Sequence, residues 1–408
     1  MLSQSRRIVF FIILTAVLTA VFAVAAIFTL RSYPISPKSK APPPRKPERP
    51  KDISITLAAA GDFLMHLPVV DSTYDLKTGA YNFSQLFSPV VPYLKRADYT
   101  VVNLETRLAG PTHGYHGYPL FNTPADLAQH LQKAGVDLVA TANNHSLDMG
   151  WDGIVSTLDN LDAAGLSHVG TYRSEVEKLK PFLVNVKGIK LAFLNYTAST
   201  NGLPLPPGKE FSVNLLDPAA VAAEAQAARN QGADLVIAVL HWGNEYQRSP
   251  DEPQRQLATN LFVYGVDIII GSHPHVVQPI ERITVRRNGA SRDCIVAYSL
   301  GNFVSAQDWR YSDSGVILYL QIEKSDTGTF VRNVQYLPVW VQTRYVAGRE
   351  RYRVLPVHPA INPATDIPLN QKNRERMTQV WEELLPHLNK PAQGIVPYKS
   401  QAASASTF

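Results

Sequence analysis

Five apolar runs in this chain end abruptly on residues that bind protons or metals, and that pattern leaves few folds open. Residues 53–60 lead into Gly61-Asp62, with His66 shortly after; residues 99–102 lead into Asn103-Leu104-Glu105. Residues 136–142 lead into Asn143-Asn144-His145, followed by Asp148. Residues 235–240 reach His241, with Glu245 beyond, and residues 266–270 reach Gly271-Ser272-His273-Pro274-His275. Such short continuous runs read as strands buried on both faces. Helical patterns separate them at 124–134, 153–164, 218–231 and 254–264, three of them stopped by Gly135, Gly165 and Gly232. Further strands are expected at 190–196, 294–298 and 315–322. Strands alternating with helices predict an α/β fold that brings its strand ends to one edge, where such proteins bind ligands.

The composition suits a well-cored globular chain, with 45% hydrophobic and 18% charged residues over 408 positions. The net charge of +5 is local in origin. Nine basic residues between Arg6 and Lys51 face one acid, Glu48, so the remainder is slightly acidic. A basic total without a basic domain argues against nucleic acid as a partner and points the arm at anionic lipid or polymer. Cys294 is the single cysteine, which excludes an intramolecular disulfide and a thiol-rich metal site; it reads as a small core residue of its strand.

Residues 8–30 carry no charge and follow Arg6-Arg7. As a helix they span about 34 Å, enough for a bilayer core. They read either as an anchor or as a signal peptide cleaved near Ala23-Val24-Ala25; the run continues to Leu30, which favours the anchor. Either way the main domain lies outside the cytoplasm. Residues 32–52, with seven prolines from Pro34 to Pro50, form an extended stalk. The expected organisation is thus 1–31 stub and anchor, 32–52 stalk, 53–345 main domain and 346–408 extension. The extension carries one amphipathic helix at 371–388 and a frayed end at 400–408.

Imidazole, carboxylate and amide oxygen without sulfur suit Zn, Mn, Fe or Mg. Two metals about 3.5–4 Å apart would need a bridging carboxylate, for which Glu105 or Asp62 could serve. Such a site clamps a phosphate and lowers the pKa of a water toward ~7, so that hydroxide becomes available.

The ordered series Gly61-Asp62, Asn103-Leu104-Glu105, Asn143-Asn144-His145-x-x-Asp148, His241-Trp242-Gly243-x-Glu245, Gly271-x-His273-Pro274-His275 and Ser299-Leu300-Gly301-Asn302-Phe303 resembles the CapA-type poly-γ-glutamate capsule biosynthesis family. That family is in turn similar to the calcineurin-like metallophosphoesterases. The likeness covers roughly residues 53–305. It implies a metallophosphatase-like α/β domain of layered sheets flanked by helices. It also implies one or two divalent metals, with Asp62 and His275 on one, Asn144, His241 and His273 on the other, and Glu105 between. His145 would be the acid that protonates a leaving oxygen. The sequence departs from the phosphoesterase pattern in two places. Asp62 is followed by Phe63-Leu64 rather than by a histidine two positions on, and Asn103-Leu104-Glu105 stands where Gly-Asp-x-x-Asp is usual.

Several residues keep two readings. Asp148 either caps a helix or orients His145, or it ligates a metal directly. Glu245 is either a carboxylate on His241 or an acid/base. His66 is a ligand or a rim residue in contact with substrate. Asn302 either closes its turn or lines the pocket, and Trp242 either stacks on substrate or packs the sheet edge. Asn103 and Phe121 are substrate-contact candidates. His113 and His116 belong to a rim, and His130, His168 and His358 are structural. The expected function is a metal-dependent hydrolase of phosphoester or amide bonds, assisting assembly or export of an anionic surface polymer such as poly-γ-glutamate. Its partners would be the membrane, the polymer or a phosphoester, and membrane synthase subunits. The rivals are a non-catalytic polymer-binding subunit of a synthase complex and a general secreted metallophosphatase.

Overall fold

Side chains alternate along the buried strands, and the alternation decides how the layers stack. In the strand Ile53–Phe63, Ile55, Leu57 and Ala59 join one core while Ala58 and Ala60 join another. In Ile189–Thr197, Leu191 and Phe193 face the first core and Ala192 and Leu194 a third. Period-two burial on both sides means each sheet is covered on both faces. The structure, a computed structural model, describes residues 9, 12–20, 52–359 and 369–399. Within the compact unit Lys51–Phe408, two sheets share the first core between them. The outer face of one holds the helix Asp126–Ala134, and that of the other holds Pro218–Asn230 and Glu252–Tyr264. The fold is therefore α/β, with layered sheets flanked by helices, as expected.

Both sheets have parallel centres. In the first, Ile53–Phe63, Tyr99–Leu104, Leu138–Ala140 and Ser167–Val169 run in parallel. In the second, Ile189–Thr197, Leu235–His241, Ile268–Ser272 and Ala290–Ala297 do the same. Parallel pairing sends all carboxyl ends to one edge of each sheet. The strands run further than the apolar pattern predicts. Ile53–Phe63 continues three residues past Ala60 through a register shift between Ala60 and Asp62. Such a bulge re-aims a side chain, and here it is that of Asp62. Ile268–Ser272 likewise absorbs Gly271 and Ser272, so Asp62 and His241 lie within strands while Glu105 and His273 follow directly on a strand end.

The chain crosses between sheets at residues 298–301, after Ala290–Ala297 and before Asn302–Val304. Leu300 N donates to Gly271 O at 3.1 Å, and Asp62 N donates to Gly301 O at 3.0 Å. One crossing segment thus ties a strand end of each sheet. The approach leaves no room for side chains: a Cβ on Gly61 would lie 1.9 Å from Gly301 O, and one on Gly271 would lie 1.9 Å from Tyr298 O. This is why Asp62 and Ser272-His273 are each preceded by glycine.

The first sheet also runs past residue 345. The strand Gly328–Val346 turns into Arg349–Pro356 and pairs with it, and Ile395–Pro397 adds in parallel to the former. Residues 346–356, placed in the extension by the proline- and arginine-rich composition, are therefore sheet. The helix Gln371–Leu388 has the expected bounds and buries Val380, Leu384 and Leu388 in the inter-sheet core. Cys294 is a buried free thiol, as read. The stalk apart from Asp52, and the end at 400–408, lie outside the described residues. Of the apolar run at 8–30, residues 9 and 12–20 are described and helical. No helix of the described residues is long and apolar enough to cross a membrane.

Gly61→Ala and Gly271→Ala should each destabilise the domain by more than about 2 kcal/mol, because a backbone carbonyl must move. Urea denaturation midpoints of the variants and wild type measure this; unchanged midpoints would show that the crossing segment is slack.

Candidate functional site

The two carboxyl edges meet, and hydrogen bonds cross between them. Asn103 Nδ2 donates to Asp62 Oδ1 at 2.8 Å and lies 3.4 Å from both Glu105 Oε2 and His241 Nδ1. His273 N lies 3.4 Å from Asp62 Oδ2. Asp62, Glu105, Asn144, His241 and His275 are all buried. Placing so many polar groups in a core is costly unless each has a partner.

The partners define two donor sets. Glu105, His241 and His273 form one, and Asp62, Glu105 and His275 form the other; within each set the ligating atoms lie within 4.8 Å of one another. Around His241 Nε2 stand Asn144 Oδ1 at 2.9 Å, His273 Nδ1 at 3.1 Å and Glu105 Oε1 at 3.5 Å. His275 Nδ1 is 3.2 Å from Asp62 Oδ2, and its Nε2 is 3.8 Å from Glu105 Oε1. Glu105 is shared, and its Oε1 is buried without a hydrogen-bond partner. An orphan carboxylate oxygen at the meeting point of two nitrogen- and oxygen-only donor sets fits a metal cation.

Electrostatics agree with that fit. Burial, and then the neighbouring Asp62, push Glu105 well above the usual carboxylate range in the absence of a cation. Burial holds His241 well below the ordinary imidazole value and lowers His273 to about 4, so both offer lone pairs. His273 and His275 also adopt positive φ, +99° and +59°, a strain typical of functional positions. Ser272 Oγ, 3.0 Å from His241 Nδ1, orients that ring. This role falls to Ser272 and not to Glu245, and the strand register pairing Ser272 with His241 is what places it there.

Beside the donor sets, Asp148 Oδ2 accepts from His145 Nδ1 at 2.7 Å and from Phe121 N at 2.6 Å. With Nδ1 donating to a carboxylate, His145 Nε2 is the ring atom left for the adjoining cleft of about 720 Å³. His66, Phe121, Asn144, His145, Asp148, Glu245 and His275 all line that cleft. Glu245 is exposed there, with Asp308 as a further acid, and among the described residues no lysine or arginine lines it.

Other expectations change. Trp242 is 2% exposed and donates from Nε1 to Tyr298 O at 3.1 Å, so it packs the outer face of its sheet and does not reach the cleft. Asn103 braces the carboxylates of the site, is buried and does not line the adjoining cleft. His66 joins neither donor set; its ring stands edge-on to Phe121, with Nδ1 3.4 Å from Ser305 Oγ. Asn302 closes its turn by donating to Ser312 O at 2.8 Å and meets His275 Nδ1 at 3.1 Å, but it is buried and does not line the cleft. His113 and His116 are exposed, and His130, His168 and His358 lie outside the donor sets and the cleft. Sequence reasoning missed Arg107, wholly buried beneath this site two residues after Glu105; its isolation as a charge inside a buried stretch was the available signal.

Comparison with known proteins follows the same motifs. The chain is 32% identical over 308 residues to the PGA biosynthesis protein CapA of Bacillus subtilis, covering 70% of this chain and 73% of the relative. It is 28% identical over 325 residues to the capsule biosynthesis protein CapA of Bacillus anthracis, covering 78% and 73%. Among solved structures, the calcineurin-like phosphoesterase YfkN of B. subtilis aligns at a TM-score of 0.39 and 14% identity, over 82% of this chain and 98% of that one. The NAD nucleotidase of Haemophilus influenzae aligns at 0.45 and 15%, over 87% and 66%. The family described as bacterial capsule synthesis protein PGA_cap matches residues 56–307, more than half of the sequence. The motif resemblance and this match agree: the chain belongs to the PGA_cap family of bacterial capsule synthesis proteins.

Proposed function

We propose that this chain is a membrane-anchored, extracytoplasmic hydrolase that depends on one or two divalent metals and cleaves a phosphoester or amide bond. Its task is to assist assembly or export of poly-γ-glutamate or another anionic surface polymer. The observation that carries the reading is Glu105, whose buried, unpartnered Oε1 is common to both donor sets. Asp62 and His275 would hold one cation, and Asn144, His241 and His273 a second. A divalent cation bound there supplies Lewis acidity toward a substrate oxygen and lowers the pKa of a water. The donor chemistry suits Zn, Mn, Fe or Mg.

The remaining steps fall to the chain's own residues. Asp148 accepts from His145 Nδ1, and in the imidazolium form of that ring the Nε2–H faces the cleft and is the proton given to the leaving oxygen or nitrogen. Phe121, edge-on to His145 at 4.6 Å, excludes water from one side of that ring. Asn302 fixes His275 Nδ1, which leaves its Nε2 toward Glu105. The polymer-binding rival would ask the cleft to hold rows of carboxylates, yet its lining offers Asp148, Glu245 and Asp308 and no lysine or arginine. That charge pattern favours chemistry at the floor over retention of a polyanion. The anchor rests on the uncharged run at 8–30, and the polymer on the names of the two CapA relatives.

Metal analysis of the full-length chain in detergent, with phosphoester and amide hydrolysis assays, tests the proposal. Wild type should bind at least one metal per chain, and fewer than ~0.1 would end the reading. His273→Ala should lose most of the metal. His145→Ala should keep it while kcat falls about 10²–10⁴-fold, the usual contribution of a positioned acid.

The buried imidazoles also predict a pH dependence. In the metal-free chain His66 and His273 are lowered by burial from 6.5 to about 4. The unfolded state therefore binds more protons between these values. Their share of stability is intact above pH 6.5 and is lost as pH falls toward about 4, by up to about 1.4 kcal/mol per unit for each group. Urea midpoints of chelator-treated protein across this window should fall, and His66→Gln should flatten the slope; an equal slope in both would refute a neutral buried His66.

A further inference from the structure

Arg107 is 0% exposed, and its surroundings do not explain it by packing. Its Nη2 donates to Leu104 O at 3.0 Å and lies 3.4 Å from Thr141 O, while Nε and Nη1 have no partner. A buried guanidinium with orphan donors costs several kcal/mol that a methionine of similar length would avoid. The two carbonyls it meets are those on which the loop at residues 141–148 rests. Leu104 O also accepts from Asn143 Nδ2 at 2.8 Å, and Asn143 Oδ1 accepts from His145 N at 3.1 Å. Thr141 O also accepts from Ser146 Oγ at 2.9 Å, and Ser146 Oγ accepts from Asn143 N at 2.8 Å. One guanidinium thus reaches both carbonyls that anchor Asn143 and Ser146, the side chains that shape the segment bearing Asn144, His145 and Asp148.

A second observation concerns charge. Asp148 uses Oδ2 for His145 and Phe121, and its buried Oδ1 has no partner. Asp148, followed by Glu105, is the carboxylate that acts most strongly on the guanidinium. Arg107 and Asp148 make no direct ion pair; the guanidinium meets Thr141 O at the start of the loop that carries Asp148, and both charges are buried, where attraction is weakly screened. We propose that Arg107 is a positioning residue of the hydrolytic site: it clamps the end of the strand Tyr99–Leu104 to the 141–148 loop and sets a positive charge behind Asp148. Asp148 is thereby held on His145 Nδ1, and Nε2 is aimed into the cleft. The proposal rests on the hydrolase reading for its kinetic consequence and on the structure alone for its effect on His145.

The test compares full-length wild type, Arg107→Met, Arg107→Lys, Asp148→Asn and the double variant Arg107→Met/Asp148→Asn. Arg107→Met should lower kcat at least about tenfold with KM unchanged, and Arg107→Lys should recover part of the loss. Because Arg107 acts through Asp148, the double variant should match Asp148→Asn within about twofold, whereas a merely structural role would multiply the two losses. In parallel, 15N-histidine spectra report the Nδ1–H of His145, identified by its loss in His145→Gln. That signal should be present in wild type and in Arg107→Lys and be lost or displaced in Arg107→Met. Wild-type kinetics or an unmoved signal in Arg107→Met overturns the proposal, as do multiplying losses. If wild type hydrolyses nothing, the hydrolase reading falls and the His145 signal alone decides. If Arg107→Met does not fold, Arg107→Lys decides, since a displaced His145 signal there would overturn a role for the charge.

Discussion

Glu105 is a carboxylate folded into a place where one of its oxygens meets no donor, and the rest of the site is arranged around that deficit. Asn103 reaches Oε2, Asp62 adds a second negative charge nearby, and His241 and His275 direct ring nitrogens at Oε1 from the opposite sheet. An isolated protein would relieve such crowding by taking up a proton, which is the direction in which burial pushes Glu105. A cation relieves it without one. With a cation bound, the charge that is a folding penalty in an ordinary core would become a coordination site, and folding and metal affinity would be coupled.

Holding the site together is a problem of joining two sheets, because each contributes only part of the donors. Asp62, Glu105 and Asn144 come from the first sheet, and His241, His273 and His275 from the second. The crossing segment at 298–301 bonds a strand end on both sides and delivers Asn302 to His275. Glycines at 61 and 271 permit that approach. Beneath the first sheet's edge Arg107 does a related job, tying one strand end to the next loop. Geometry at this precision is what catalysis by proton transfer requires.

The cleft gives the site a polarity that the family resemblance alone does not. Its floor is imidazole and carboxylate, and its lining lacks lysine and arginine. An anionic substrate group would therefore find positive charge at a bound cation or at protonated His145, and at no lysine or arginine of the described lining. This concentrates recognition of such a group at the reacting centre.

Much of this was legible in the sequence. Apolar runs bounded by glycine and followed by His, Asp, Asn and Glu revealed the α/β fold, the strand ends and most of the donors, because burial period and residue chemistry are local properties. The helix at Gln371–Leu388 was legible for the same reason. Trp242, Asn103 and Ser272 were not, since which face of a strand end points at the site depends on register with a neighbouring strand. The sheet beyond residue 345 was hidden by composition, for arginine and proline are tolerated in strands near a sheet edge once pairing partners exist. The chain's local chemistry thus determined which residues could bind a metal. Only the packing of two sheets, edge against edge, decided which of them meet, because a coordination site exists where atoms distant in sequence converge within a few ångströms.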